Sequence, residues 1–460
     1  MDYLPLFHDV KQKPCLVVGG GTVAARKIAL LLDAGADVTV LSPSLTSELQ
    51  QQVDSALITH IDKTFDYSAE QLGRFILIIS ATDDPVLNER VSSVANAQNI
   101  PVNVVDQPRL CSFIFPAIVD RSPMTIAISS GGKAPVLSRS TREKLETLLP
   151  QSLGKLAGLA EKFRQTVKVH FTHTNQRRLF WESIFTGPIA DYVYQGKNNL
   201  AEEALLAQLR STKDTATTGV VYLVGGGPGD PELLTLKALR LIQQADLIVY
   251  DRLVSPEVLN LARRDAERIY AGKKRSEHTL SQGSINNLLI KHAQLGKRVV
   301  RLKGGDPFIF GRGGEEIETL LEKKIPFEVV PGITAASGCA SYAGIPLTHR
   351  DYAQSCVFVT GNLKENKVNL DWDQLAKPNQ TIVIYMGLVG IHEVCRELIA
   401  HGLPKNTPAA LIQKGTTVEH KVFISNLNEL PSTVSKEKPK PPTLIIIGHV
   451  VSLHEKLNWI

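Results

Sequence analysis

Short apolar runs alternate with longer amphipathic stretches along most of this chain. Pro14-Cys-Leu-Val-Val18 is followed by Gly19-Gly-Gly21, and Thr22 to Leu32 then repeats apolar residues at helical spacing. Val38-Thr-Val-Leu41, Phe75-Ile-Leu-Ile-Ile79 and Val102-Asn-Val-Val105 read as three further strands. Strands alternating with helical stretches predict a parallel, doubly wound α/β sheet.

From Ser112 to Ser130 the pattern changes to short β-rich runs, Phe113-Ile-Phe115 and Thr125-Ile-Ala-Ile128, ending in Ser129-Ser-Gly-Gly132. Residues 136–210 then look mainly helical, with Arg, Lys and Gln on the polar faces. Residues 212–219 contain no apolar residue larger than alanine and predict a linker, with a boundary near 215. A second α/β pattern opens at Val220-Val-Tyr-Leu-Val-Gly225. Its strands are expected from Leu247, Arg298, Phe327, Val357, Thr381, Ala409 and Thr443. Both halves begin with a strand and three glycines, but they diverge at once and are no repeat.

Composition adds bounds to this picture. A chain of 460 residues, 43% hydrophobic and 21% charged, has room for about three ordinary domains. No apolar run approaches the ~20 residues of a membrane span, and the start of the chain reads as neither signal nor anchor, so a cytoplasmic location is expected. The net charge of +5 is spread without a dense basic run, which argues against nucleic acid and suits an anionic small molecule. Five scattered cysteines with no CxxC pair predict reduced thiols. No His/Cys cluster has the spacing of a resident metal site.

Gly19-Gly-Gly21-Thr22-Val23-Ala24 fits G-x-G-x-x-A, in which glycines permit the turn and close phosphate approach and the small last position packs helix on strand. The helix N-terminus then offers unpaired N–H groups to a pyrophosphate. Further on, Ser42-Pro43-Ser44 lacks the usual ribose-binding acid, leaving Ser42 or Ser44 to hydrogen-bond there and NAD against NADP undecided by the residues. Asp106 follows a buried strand at the same sheet edge, as a general base or as a turn former. Ser130-Gly131-Gly132 is either a nest for a carboxylate or a plain turn. Arg177, Arg178 and Trp181 read as a solvated helix face or part of a dimer surface.

The densest chemistry lies in Arg301-Leu-Lys-Gly-Gly-Asp-Pro-Phe-Ile-Phe-Gly-Arg-Gly-Gly-Glu-Glu316. Glycine pairs permit close backbone approach, Asp306 and the two glutamates offer acceptors, and Lys303 and Arg312 offer positive charge. A polar loop directly after a buried strand is where open α/β sheets bind ligands.

With Gly225-Gly-Gly-Pro228-Gly-Asp230, Tyr250-Asp251, Val330-Pro-Gly-Ile-Thr334-Ala335 and Gly344-Ile-Pro-Leu-Thr348-His-Arg350, this loop makes residues 220–450 resemble the tetrapyrrole (uroporphyrinogen III) C-methyltransferases. Through Gly19 to Ala24, Ala81-Thr-Asp-Asp84, Asn103 to Asp106 and Ser129 to Gly132, the first half resembles the bifunctional precorrin-2 dehydrogenase and sirohydrochlorin ferrochelatase. Both halves in this order resemble the fused siroheme synthase family.

The resemblance implies an N-terminal Rossmann-like domain (1–113), a β-rich dimerisation segment (114–149), a helical domain (150–211), a linker (212–219) and a two-subdomain tetrapyrrole methylase (220–333 and 334–460). It implies NAD bound at Gly19, Gly21, Thr22, Val23, Ala24, Pro43 and Ser44. S-adenosylmethionine would lie at Pro228, Gly304, Gly305, Asp306, Ile309, Thr334, Ala335, Met386 and Gly415. Asp251 is then proton acceptor and Lys273 proton donor of methyl transfer, and Asp106 serves both dehydrogenation and insertion of ferrous iron, a substrate held mainly by the macrocycle. Ser130, Arg312 and Arg350 are expected to bind an anionic tetrapyrrole, and a homodimer is expected. Two readings compete with a trifunctional enzyme: a methyltransferase with a non-catalytic N-terminal half, and a non-enzymatic tetrapyrrole carrier. On the residues alone, an ion pair between Asp251 and adjacent Arg252 competes with catalysis.

Overall fold

The computed structural model describes residues 2–65, 72–212, 218–272, 281–361, 368 and 370–460. The chain divides into two compact units, Met1–Lys213 and Asp214–Ile460.

In the first unit, β1 (Pro14–Val18), α1 (Thr22–Asp33), β2 (Asp37–Leu41), α2 (Ser47–Asp54), β3 (Thr59–Ile61), β4 (Leu77–Ser80), α3 (Pro85–Ala97) and β5 (Val102–Val104) form a parallel sheet ordered β3-β2-β1-β4-β5. The unbroken apolar runs follow from burial on both faces. Cys15 and Val17 pack with Ala24, Ile28 and Leu31 of α1, while Leu16 and Val18 pack with Val91 and Ala95 of α3. Chain order reverses between β1 and β4, which makes the crevice beyond their carboxyl ends the expected ligand position. The sequence pattern missed β3, a three-residue edge strand with two polar residues.

The next pair of strands is the antiparallel hairpin β6 (Ala117–Arg121) and β7 (Met124–Ile128). Phe113-Ile-Phe115, expected as strand, is not one. Phe113 and Phe115 instead pack against the β1/α1 core with ring centroids 5.3 Å apart, so their apolar character reflects burial rather than pairing. Helices α4 (Pro135–Leu148), α5 (Leu153–His170), α6 (Thr174–Thr186), α7 (Pro188–Tyr194) and α8 (Asn198–Ser211) follow. The last four enclose a core of Leu156, Phe163, Val167, Phe180, Ile184, Val193 and Leu205. Trp181 packs partly against it; Arg177 donates to the carbonyls of Phe171 and Thr172, and Arg178 pairs with Glu182. Residues 213–217 of the expected linker lie outside the described residues.

The second unit carries two five-stranded sheets. The first, ordered β10-β9-β11-β8-β12, is all parallel. Its strands are β8 (Val220–Gly225), β9 (Leu247–Tyr250), β10 (Glu267–Tyr270), β11 (Arg298–Lys303) and β12 (Phe327–Val330), with helices α9 (Leu236–Gln244), α10 (Gln282–Gln294) and α11 (Gly313–Glu322). After α12 (Ala335–Tyr342) come β13 (Ser355–Thr360), β14 (Gln380–Tyr385), β15 (Pro408–Gln413), β16 (Lys421–Asn426) and β17 (Thr443–Ile447). These order as β13-β14-β17-β15-β16, antiparallel except for β13 with β14. Ala336, Cys339 and Ala340 of α12 pack on Val383, Ala410 and Ile446 of this second sheet. Edge strands β10 and β16 escaped the sequence pattern because each opens on a charged residue and is only partly buried.

Candidate functional site

In the first unit the turn after β1 brings α1 to the crevice. Gly19 has φ +115°, and a Cβ there would lie 2.3 Å from the Ala81 carbonyl oxygen at the end of β4. Gly20 is equally constrained, its Cβ position being 2.0 Å from the Ser44 carbonyl oxygen. Gly21, the N-cap of α1, differs: no side chain caps the helix, and a Cβ would meet nothing within 4 Å. Open space therefore adjoins uncapped N–H groups, a cradle that fits a phosphate. Thr22 and Val23 are exposed on the first turn, while Ala24 is fully buried against the strand. Ser42 is buried and donates to the Ser44 carbonyl at 2.7 Å, so its hydroxyl shapes the loop; Pro43 and Ser44 are exposed.

Asp106 lies just past β5, exposed and at φ +58°. Lys27 of α1, its ammonium 4.2 Å from the Phe115 ring centroid, senses this carboxylate: burial pushes the Lys27 pKa down, and the charges of Asp106 and Cys111 oppose that shift. Burial also raises the Cys111 thiol, which donates to the Val104 carbonyl at 3.1 Å. The β1 turn and Asp106 thus share the carboxyl edge of one sheet. Ser130 sits between β7 and α4, where its hydroxyl oxygen accepts from Ala134 N–H at 3.0 Å, beside Gly131 and Gly132 at φ +65° and +79°. Its hydrogen bonds among the described residues do not reach the glycine turn or Asp106.

In the second unit, loops from both sheets converge. Gly227 and Gly305 exchange backbone hydrogen bonds of 3.2 and 2.7 Å, tying the loop after β8 to the loop after β11. Asp306, expected as a ligand acceptor, spends its carboxylate on the Phe308 and Gly332 N–H groups at 2.8 and 3.0 Å. Pro228 packs beneath Gly338 of α12, where a Cβ would be 2.5 Å from the proline Cγ. The Asp230 N–H donates to Thr416 Oγ1 at 3.2 Å, and the Tyr342 hydroxyl donates to Asp230 at 2.6 Å.

Thr334 Oγ1 lies 2.6 Å from the Tyr385 hydroxyl, which accepts from Ala336 N–H and adjoins Met386 at φ +55°. Gly415 is pinned against α12, its Cβ position 2.4 Å from the Cys339 sulfur, a thiol that burial pushes up to about 12. Pro228, Gly304, Gly305, Thr334, Ala335, Met386 and Gly415 thus come from loops and helix starts that these contacts link, with Ile309 on the same β11 loop.

Asp251 follows β9 on the same sheet edge. Its carboxylate accepts from Leu253 N–H at 3.0 Å and pairs with Arg301 Nη2 at 3.5 Å, whereas Arg252 is exposed. The ion pair on Asp251 is therefore with a strand residue fifty positions away rather than with its neighbour. Lys303, expected to offer charge to a ligand, is buried against fully buried Glu316 at 3.1 Å. Burial pushes its ammonium below the usual value, with Arg301 adding to the shift and Glu316 opposing it. Arg312 is exposed and bidentate with Glu315 at 2.8 and 2.5 Å, and Arg350 is exposed on another loop. Lys273 lies outside the described residues. Sequence reasoning missed the buried Arg301–Glu316 pair; its signal was two cations in alternate positions of a strand whose flanking residues are apolar.

Four family models match the chain: Putative NAD(P)-binding over residues 6–117, Sirohaem biosynthesis protein central over 121–148, Sirohaem synthase dimerisation region over 152–209, and Tetrapyrrole (Corrin/Porphyrin) Methylases over 220–431. The chain is 58% identical over 462 residues to the siroheme synthase of Nitrosomonas eutropha, covering all of this chain and 96% of that one. It is 57% identical over 463 residues to the siroheme synthase of Nitrosospira multiformis, covering 100% and 98%.

Proposed function

This chain belongs to the siroheme synthase family, and from that premise we propose how its two units share the work. The second unit methylates uroporphyrinogen III twice to precorrin-2. The first unit oxidises precorrin-2 to sirohydrochlorin and inserts ferrous iron. The observation that carries the reading is the presence on one chain of two separate sheet edges, each joining a glycine cradle to a carboxylate: Gly21 with Asp106, and Gly304-Gly305 with Asp251.

In the second unit S-adenosylmethionine, when bound, supplies an electrophilic methyl group. Pro228, Gly304, Gly305, Asp306, Ile309, Thr334, Ala335, Met386 and Gly415 would hold it. Asp251 accepts the proton that the macrocycle loses after its carbon is methylated, and Lys273 is the donor. Arg312 and Arg350, both exposed, hold substrate carboxylates. Positioning of the pyrrole carbon accounts for most of the rate, since an oriented pair avoids the entropy of encounter.

In the first unit NAD, when bound, supplies the hydride acceptor. Gly19, Gly21, Thr22, Val23 and Ala24 would seat its pyrophosphate, with Pro43 and Ser44 along the ribose and Ser130 at a substrate carboxylate. Asp106 takes the proton released on oxidation and passes it to solvent, and then relays in turn the pyrrolic protons displaced by iron. The match of residues 152–209 to a dimerisation region supports a homodimer. No helix among the described residues is long and apolar enough to cross a membrane.

An anaerobic one-pot assay tests the division of labour. Uroporphyrinogen III and S-adenosylmethionine are supplied first, then NAD, then ferrous iron, with spectra recorded at each stage. The wild type is expected to reach siroheme and Asp106→Ala to stop at precorrin-2. Arrest of the wild type at precorrin-2 reduces the protein to a methyltransferase; no turnover at all leaves a carrier.

A further inference from the structure

Strand β11 alternates its side chains between the two faces of the parallel sheet, as any strand does. Val300 and Leu302 enter the core beside α9, and Val299 enters the core formed with α10 and α11. Arg301 and Lys303 share the Val299 face, so two cations occupy positions that the alternation gives to apolar residues. Their side chains are only 5% and 6% exposed.

A single carboxylate oxygen answers both. Glu316 of α11 is fully buried, and its Oε1 accepts from Arg301 Nε at 3.1 Å, Lys303 Nζ at 3.1 Å and Gln282 Nε2 at 3.2 Å. Arg301 also donates through Nη1 to the carbonyls of Leu302 and Val249 at 3.2 and 3.4 Å. The guanidinium is thereby fixed on two sides, and its remaining nitrogen, Nη2, points to Asp251. Of the four charged groups, Arg301, Lys303, Glu316 and Asp251, only Asp251 reaches solvent appreciably, at 24% exposure.

Burying ions in this way is costly, and well-packed apolar side chains would serve stability as well or better. What apolar residues cannot supply is a fixed cation at one oxygen of Asp251. We infer that Arg301, clamped by Glu316, is a positioning residue that orients the Asp251 carboxylate for proton acceptance during methyl transfer. Lys303, the second cation on Glu316, is followed directly by Gly304-Gly305, so the same clamp ties the acceptor to the loop proposed for the methyl donor. This inference rests on the reading of Asp251 as proton acceptor.

The groups that face Asp251 are Arg301 from β11, with Lys303 and Glu316 behind it, and exposed Arg252 beside it in sequence. Arg301→Gln removes the facing charge. Arg301→Gln with Glu316→Gln removes it while keeping the net charge of the buried cluster unchanged. Each is compared with wild type and Asp251→Asn by kcat and KM for methyl transfer and by calorimetric binding of S-adenosylhomocysteine.

A proton acceptor works only when it is held in line with the proton it takes, and a carboxylate released from its partner samples other orientations. Loss of Arg301 is therefore expected to lower kcat about ten- to a hundredfold, with KM for uroporphyrinogen III and S-adenosylhomocysteine affinity unchanged. A kcat within about twofold of wild type in both variants, or a loss that appears in KM instead of kcat, overturns the clamp. So does loss of S-adenosylhomocysteine binding in both variants, which would make the cluster structural. If Asp251→Asn keeps the wild-type rate, the acceptor reading itself is wrong; if it loses activity while the Arg301 variants keep theirs, only the clamp is.

Discussion

Gly19 and Gly21 stand two residues apart in one turn, yet a methyl group added at each meets opposite surroundings. At Gly19 the positive φ and the Ala81 oxygen at 2.3 Å leave no room, so Gly19→Ala is expected to destabilise the first unit by about 1–3 kcal/mol. At Gly21 the backbone is ordinary, φ −86°, and the space is open. Gly21→Ala should leave the unfolding temperature unchanged while weakening NAD at least about tenfold, because the methyl occupies the approach to the helix N–H groups. Thermal unfolding with a calorimetric NAD titration separates the two effects. Undiminished NAD binding by Gly21→Ala would move the pyrophosphate elsewhere. Legibility divides along the same line. The spacing of Gly19, Gly21 and Ala24 is local and readable, whereas the need for Gly20 comes from Ser44 closing over it. Likewise Arg252 was the visible partner for Asp251, and the actual one, Arg301, is adjacent only after β9 and β11 pair.

Strands were legible where apolar residues dominate and obscure where polar ones do: of the edge strands, β5, β12 and β13 were read from the sequence, and β3, β10 and β16 were not. β1, β4, β8 and β17 are central strands with apolar runs that admit one reading, and β3, β10 and β16 are edge strands with polar or charged ends. Phe113-Ile-Phe115 shows the converse failure, an apolar run that packs on a core without pairing. Helix α5 carries a constraint of its own. A Cβ at Gly154, in its first turn, would lie 2.0 Å from the Ser122 carbonyl in the β6–β7 turn, so the helix seats on the hairpin only through glycine. Gly154→Ala must push them apart, at about 1–3 kcal/mol by the cost of overpacking. That corresponds to an unfolding temperature lower by several degrees for a unit of this size. Scanning calorimetry checks it, and an unchanged transition would show that the hairpin turn gives way freely.

At the scale of the whole molecule, each unit closes its own cores. The clusters around β1–β5 and within α5–α8 draw only on residues before 213, and those around β8–β17 only on residues after 214. The family models respect the same division, the last of the first unit ending at 209 and the methylase model starting at 220. Chains of this length bury enough surface to fold alone, about 70% of what the unfolded chain exposes. A fragment of residues 214–460 is therefore expected to be folded, to bind S-adenosylhomocysteine as the full chain does, and to convert uroporphyrinogen III to precorrin-2. Added NAD and ferrous iron should leave that product unchanged, because Gly21 and Asp106 are missing. A fragment of residues 1–213, supplied with precorrin-2, NAD and iron, should complete the sequence to siroheme. Circular dichroism and the stepwise spectral assay read both outcomes. A folded second fragment without methyl transfer would mean that its site needs residues from the first unit, and an unfolded one that its cores do not suffice.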